Sequence, residues 1–292
     1  MQITPDLYAL RLPFTLPAGP GGKLERFVNV FLYAGKGVML FDAGVASSPP
    51  LLFEYLGEIG RSPAEISWLM LTHSHPDHIG GAREIAERTA CQVAASAVEQ
   101  PWIEDPGLQQ RERPVPGFNA IVGGPIRVDA ALAGVEEMDL GPELHLQCFP
   151  TPGHSKGSLS FFLEEEGALI CGDAVPVPGA LPIYDDVSLS LFTLGRLAKL
   201  PVKVLLSAWD EPRTGDDALK AIHAGARYIQ RVHDVVVKES ASRPGADALA
   251  LAPAVLSTLG LPSHLASPLT AATVNAHLKV KDQKHLMVDW AL

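Results

Sequence analysis

Three cysteines in 292 residues, Cys91, Cys148 and Cys171, are too few and too scattered for a disulfide framework. The odd count and the lack of any Cys-x-x-Cys also argue against a thiolate zinc site, so buried free thiols are expected. Positive charge is scarce as well. Lys and Arg number 23 against 33 Asp and Glu, for a net charge of −10, and no segment concentrates the cations. A phosphate backbone would be repelled, so nucleic acid is not an expected partner. No stretch approaches the roughly eighteen apolar residues of a membrane span. The opening Met-Gln-Ile-Thr-Pro-Asp has neither the basic nor the apolar region of a secretory signal, and the expectation is a soluble, cytoplasmic chain. What is present is an ordinary globular composition, 47% hydrophobic and 19% charged, long enough for one large domain or two small ones.

Apolar runs and turn chemistry alternate through the first half. Leu7–Leu12, Phe27–Tyr33 and Gly37–Phe41 read as strands, the last two joined by Ala-Gly-Lys. A helix is expected over Pro50–Ile59 after Ser47-Ser48-Pro49, a strand over Ile66–Leu71, and a helix over Ile79–Thr89. Residues 105–134, with four prolines, five glycines and Gln109-Gln-Arg-Glu-Arg113, read as a long irregular segment, either a lid or binding loop or cover for a sheet edge. Strands resume at Leu144–Phe149, Ser158–Leu163 and Ala168–Cys171, with a turn at Glu164-Glu-Glu-Gly167. A helix over Ser188–Lys199, a strand over Val202–Leu206 and a long amphipathic helix over Asp216–Glu239 follow. Ser242-Arg-Pro-Gly245 then breaks the pattern before a helical tail at Ala246–Leu259 and Thr270–Lys281, giving domains of 1–241 and 242–292.

Chemistry is concentrated at residues 72–81, Thr-His-Ser-His-Pro-Asp-His-Ile-Gly-Gly, directly after the apolar run Trp68-Leu-Met-Leu71. Three imidazoles and a carboxylate within six positions at a strand end need partners or a cation, because desolvated polar groups are costly. Neutral imidazoles with carboxylate suit zinc first, then iron or manganese. Two later strand ends add polar groups, Thr151-Pro-Gly-His154-Ser-Lys-Gly157 and Cys171-Gly-Asp173.

Together with Leu40-Phe-Asp42-Ala-Gly44, these segments resemble the metallo-β-lactamase-fold hydrolases, most closely the glyoxalase II-like and lactonase-like branches, from about Leu7 to Asp210. The resemblance implies an α+β fold, a four-layer αββα sandwich, here with a C-terminal helical extension. It implies that His73, His75 and His154 form a first metal site, that Asp77 and His78 serve a second, and that Asp173 bridges the two. Asp42 would be the carboxylate that orients a ligand or stiffens the loop. One element departs from the pattern: Leu205-Leu-Ser-Ala-Trp-Asp210-Glu-Pro places Trp209 where the family carries a late histidine, and a protonated indole nitrogen cannot bind a metal. Asp210 or Glu211 is a candidate oxygen stand-in, the alternatives being a mononuclear centre or a pocket wall made by Trp209.

The implied chemistry is hydrolysis of a small ester, thioester or lactone by metal-bound hydroxide, with one or two ions, Asp77 and His78 working beside them, and a small-molecule substrate. Lys156, Tyr184 and Trp209 are candidate substrate contacts, and Arg111 and Arg113 could steer an anion. His145, His223, His233, His264, His277 and His285 lack companions and read as structural or surface. Two alternatives stay open: a mononuclear iron dioxygenase of the persulfide dioxygenase kind, using His73, His154 and Asp173, and a metal-binding sensor without catalysis. The tail beyond Ser242 could complete the pocket, cover a sheet edge or form a homodimer contact.

Overall fold

The computed structural model describes residues 1–18, 22–139 and 145–287, and the chain divides into two compact units. Unit one comprises Met1–Pro150, Gly157–Gly172 and Leu206–Pro212. It opens with β1 (Leu7–Ala18) and β2 (Gly22–Tyr33), antiparallel with Leu7 opposite Tyr33. β1 runs past the expected end at Leu12, through Pro13 and Pro17. It is an edge strand, where proline's missing N–H is tolerated.

β3 (Val38–Phe41) pairs antiparallel with β2, and β4 (Ile66–Met70), β5 (Gln92–Ser96) and β6 (Ala130–Leu132) then join in parallel, in the order β1-β2-β3-β4-β5-β6. Parallel neighbours need crossovers, and helices supply them. They are α1 (Pro49–Glu58), α2 (Pro76–Ile79), α3 (Ala82–Thr89), α4 (Gln100–Glu104), α5 (Pro106–Glu112) and α6 (Phe118–Ile121). α1 buries Pro49, Leu52, Phe53 and Leu56, one helical stripe, in the core that also holds Leu40, Leu69 and Val93 of the sheet. Ser48 does not cap α1 with its side chain; its Oγ accepts from the Val45 amide at 3.0 Å instead.

Residues 105–134 are not one irregular loop. Their prolines and glycines mark helix boundaries: Pro106 opens α5 behind Asp105, whose carboxylate accepts from the Leu108 amide at 3.0 Å, and Gly117 precedes α6. β5 carries little signal in the sequence, because Gln92-Val-Ala-Ala-Ser96 has one β-branched residue, although four of its five residues are buried.

The second sheet runs β7 (Glu136–Asp139), β8 (His145–Pro150), β9 (Leu159–Leu163), β10 (Ala168–Gly172), β11 (Val204–Ser207) and β12 (Arg213–Thr214), antiparallel from β7 to β10. Leu144, expected to start β8, lies outside the described residues, as do residues 288–292 of the tail. Within unit one Phe41 of β3 meets Phe161 of β9 with ring centroids 5.5 Å apart, so the two sheets pack face to face.

Unit two comprises Thr151–Lys156, Asp173–Leu205 and Arg213–Leu292, and holds α7 (Val187–Leu197), α8 (Asp216–Ser242), α9 (Ala248–Leu259) and α10 (Pro268–Lys279). The boundary expected at 241/242 is drawn elsewhere. Val232 and Val236 of α8, Leu251 and Val255 of α9 and Val274 of α10 share one apolar cluster, so the tail helices belong with α7 and α8. Among the described residues no helix is long and apolar enough to cross a membrane.

His233 and His277, expected to lack companions, are buried together. The Tyr184 hydroxyl lies 2.6 Å from His277 Nε2, His277 Nδ1 lies 3.3 Å from His233 Nδ1, and His233 Nε2 lies 2.7 Å from the Gln283 carbonyl. A carbonyl only accepts, so the hydrogens order as Tyr184 O–H to His277 Nε2, His277 Nδ1–H to His233 Nδ1, and His233 Nε2–H to Gln283. All three side chains are neutral in this order. Burial, reinforced by His233, pushes His277 down to about 3 from its ordinary 6.5. Burial, then Tyr228, holds the Tyr184 phenol well above its usual range.

Between about 3 and 6.5 the unfolded chain therefore takes a proton at His277 that the folded chain refuses. Stability should be full above pH 6.5 and should fall as the pH drops below it, by up to about 1.4 kcal/mol per pH unit from this group. Urea unfolding of wild type and His277→Asn from pH 8 to 5 checks this. The variant should lose that slope whatever its absolute stability.

Candidate metal centre

β4 ends at Met70, and the chain leaves the core through Leu71 and Thr72 into the histidine run. His73, His75 and His78 are all buried; the His73 ring lies 4.4 Å from that of His75 and 4.0 Å from that of His78. Asp77, in the first turn of α2, brings Oδ2 to 3.8 Å from His78 Nε2. Gly80 follows because a Cβ there would lie 2.0 Å from the Ile121 carbonyl oxygen and 2.6 Å from Val45 Cα. That close approach ends α2 and seats it beside the loop carrying Asp42.

Asp42 is 1% exposed and sits in the left-handed region at φ 66°, which aspartate tolerates better than most residues. Its carboxylate accepts from the Thr72 amide, the Thr72 hydroxyl and His78 Nδ1, each at 2.8 Å. With its hydrogen given to Asp42, Thr72 Oγ1 accepts from His73 Nδ1 at 3.0 Å. One carboxylate thus fixes two tautomers. His73 and His78 both carry the hydrogen on Nδ1, which leaves Nε2 as the nitrogen able to donate a lone pair to a metal.

Two further supports carry no sequence signal. Glu99, 4% exposed, accepts from the Ser74 hydroxyl, from the Ser74 amide at 3.3 Å and from the Gly157 amide at 2.7 Å. Gln109 Nε2 donates to the Ser74 carbonyl at 2.5 Å. Ser74 lies between two histidines, so these bonds hold the turn presenting both rings. A lone glutamate after a short strand and a glutamine inside a segment read as irregular match no motif.

In unit two, His154 Nδ1 lies 2.7 Å from the Ile183 carbonyl, which again puts the hydrogen on Nδ1 and leaves Nε2 as the nitrogen able to donate a lone pair to a metal. That Nε2 lies 3.4 Å from Asp173 Oδ2. Gly153 has φ 135° and a Cβ there would stand 2.5 Å from the Ser190 amide, so only glycine passes this turn. Its carbonyl accepts from the amides of Asp185 at 2.8 Å and Asp186 at 3.0 Å, and the Pro152 carbonyl accepts from Thr193 Oγ1 at 2.7 Å. In each unit the donor set is neutral imidazole nitrogen with carboxylate oxygen, which fits a borderline divalent ion.

Residues 24–209 match the family model described as the metallo-beta-lactamase superfamily, more than half of the chain. The chain belongs to this superfamily. Its members bind metal ions, and the His and Asp clusters of both units fall within the matched span. Over 163 residues the chain is 30% identical to a hydroxyacylglutathione hydrolase of Hyphomonas neptunium, covering 56% of this chain and 55% of that protein. It is 30% identical over 148 residues to a Bacillus subtilis (strain 168) protein named probable metallo-hydrolase YqgX, covering 50% and 64%. The chain thus spans about half to just under two-thirds of these curated relatives. Among solved structures, a metallo-beta-lactamase family protein from Thermus thermophilus superposes with a TM-score of 0.74 at 22% identity, over 95% of this chain and 93% of that one. A beta-lactamase domain protein from Burkholderia ambifaria gives 0.72 at 18%, over 96% and 87%. This likeness establishes the expected αββα fold.

Trp209 packs against the core of unit one, its ring 5.9 Å from that of Phe27 and under the Arg26 guanidinium at 4.5 Å. Asp210 Oδ1 accepts from the Glu211 amide at 2.9 Å, and Glu211 pairs with Arg11 at 2.9 Å on the surface. Lys156 is exposed. Tyr184 corrects the expectation of a substrate contact: it is 1% exposed and its hydroxyl is given to His277, because burial demands a partner for a phenol.

Asp42→Ala should leave the fold intact but release both tautomers. Zinc affinity, measured by chelator competition, should fall about 10- to 100-fold. Unchanged affinity would mean that Asp42 only stiffens its loop.

Proposed function

We propose that this superfamily member is a zinc hydrolase of small esters, thioesters or lactones, with His73, His75 and His154 holding one ion, Asp77 and His78 serving a second, and Asp173 between them. The observation that carries the reading is the shared tautomer: His73, His78 and His154 each commit Nδ1–H to a protein acceptor, as ligand imidazoles do. A histidine kept only for packing needs no such uniformity. Similarity to a hydroxyacylglutathione hydrolase supports a thioester or ester as the bond cleaved.

When bound, the ion supplies Lewis acidity toward a carbonyl and lowers the pKa of water toward about 7. The protein's part is placement. Asp77, with its side chain 20% exposed where its neighbours are buried, is the carboxylate able to take a proton from the attacking water and return it to the departing group. His78 is held rigid by Asp42, so its Nε2 keeps one direction through the reaction. Thioesters and lactones need less help at the leaving atom than amides, which suits a centre whose late histidine is Trp209.

Metal should be counted per chain on protein purified without added metal, alongside hydrolysis of a thioester and a lactone series. We expect zinc at one or two equivalents, one if Trp209 has removed the second site and two if Asp210 stands in. Chelation should abolish hydrolysis and zinc should restore it, while His154→Ala and Asp77→Asn should each cost on the order of 100-fold or more. Protein that binds no zinc, or that carries iron and consumes oxygen without hydrolysing either series, would sink the proposal.

A further inference from the structure

The stretch from Asp173 to Asp186 has no helix or strand, so the hydrogen bonds of its backbone decide where its carbonyls point. Two of those bonds come from α10. Thr273, buried, uses one hydroxyl twice, accepting from the Tyr184 amide at 3.0 Å and donating to the Tyr184 carbonyl at 3.0 Å. One turn further along the helix, His277 takes the Tyr184 phenol. Helix α10 therefore grips this residue by amide, carbonyl and side chain together.

Tyr184 is flanked by the groups that hold the His154 turn. Ile183, before it, offers the carbonyl that accepts from His154 Nδ1, and Asp185 and Asp186, after it, donate both amides to the Gly153 carbonyl. The Ile183 carbonyl and the Tyr184 amide belong to one planar peptide group, so the bond from Thr273 to that amide also sets the direction of the carbonyl. A rotation of this peptide would move the His154 acceptor directly.

We propose that α10 is the positioning element for His154: Thr273, backed by His277, sets the Ile183 carbonyl and so fixes the plane and tautomer of that imidazole. This rests on the reading of His154 as a metal ligand. It also gives the C-terminal helices a task at the His154 turn, performed through the backbone on either side of Tyr184. A purely structural strut would lower stability and leave the ligand geometry alone.

The full-length chain should be compared as wild type, Thr273→Val, Thr273→Ser, Tyr184→Phe and His154→Ala. Three readouts apply: the melting temperature of the metal-free protein, zinc affinity by chelator competition well below that temperature, and the visible spectrum after loading with cobalt(II). Thr273→Val keeps the side-chain shape and removes both bonds; we expect zinc affinity to fall about tenfold or more and the cobalt bands to shift. Thr273→Ser should restore both. Tyr184→Phe, which removes only the phenol, should cost about threefold and decides the matter if the valine variant does not fold. The proposal is overturned if Thr273→Val, or in its place Tyr184→Phe, lowers the melting temperature while affinity and cobalt spectrum match wild type. If His154→Ala itself leaves zinc affinity unchanged, the failure belongs to the ligand reading instead.

Discussion

A buried imidazole can serve a metal only if its other nitrogen is told where to keep the hydrogen. In this protein the instruction comes from one carboxylate in the first unit. Asp42 gives up its hydration to lie between β3 and the loop after β4, a cost offset by three hydrogen bonds from Thr72 and His78. Those bonds constrain the surroundings in turn: Thr72 must be a hydroxyl residue to pass the constraint to His73, α2 must start at Pro76 to bring His78 within reach, and Gly80 must lack a side chain so that α2 can sit against the 43–45 loop. His154 obeys the same rule with a different acceptor, a main-chain carbonyl. The chemistry of the donor set and the local backbone are thus two consequences of one requirement.

The parts of this arrangement legible from residues alone are those encoded within a few positions. His73, His75, Asp77 and His78 form a dense pattern after an apolar strand, and such a pattern has few explanations other than a cation. β1 to β4, α1 and α3 are visible because their apolar periods are clean. What the sequence hides depends on partners far away along the chain. Glu99 reaches Ser74 and Gly157, and Gln109 reaches Ser74, across separations no motif spans. Prolines in β1 and in residues 105–134 are ambiguous for a related reason, since whether a proline breaks a strand or opens a helix depends on whether the strand lies at an edge or a cap precedes it. Tyr184 resembles a reaching side chain as long as its partner is unknown, and that partner, His277, lies 93 positions on.

Trp209 is a side chain given over to packing. The indole is held between Phe27 and Arg26 against the first sheet's core, an aromatic and cation–π anchorage worth up to a few kcal/mol. A histidine in its place would forgo that anchorage. The histidines of the first unit have doubly supported mounts: Asp42 and Thr72 beneath His73 and His78, Glu99 and Gln109 around Ser74.

The match to the superfamily ends at residue 209, and the described chain after it is helix, loop and the short strand β12. A tail added to a self-sufficient site would leave no mark on it. Here the backbone of Tyr184 is tied to Thr273, and the peptide before Tyr184 carries the His154 acceptor, so within the second unit the His154 turn and α10 are joined through a single residue. Thr273 and His277 sit four positions apart on one face of α10, which is the spacing needed to reach a backbone and a side chain of the same residue. The neutral chain from Tyr184 to Gln283 adds to that grip without placing any charge of its own near the His154 turn, because every hydrogen in it has one acceptor and none is left over.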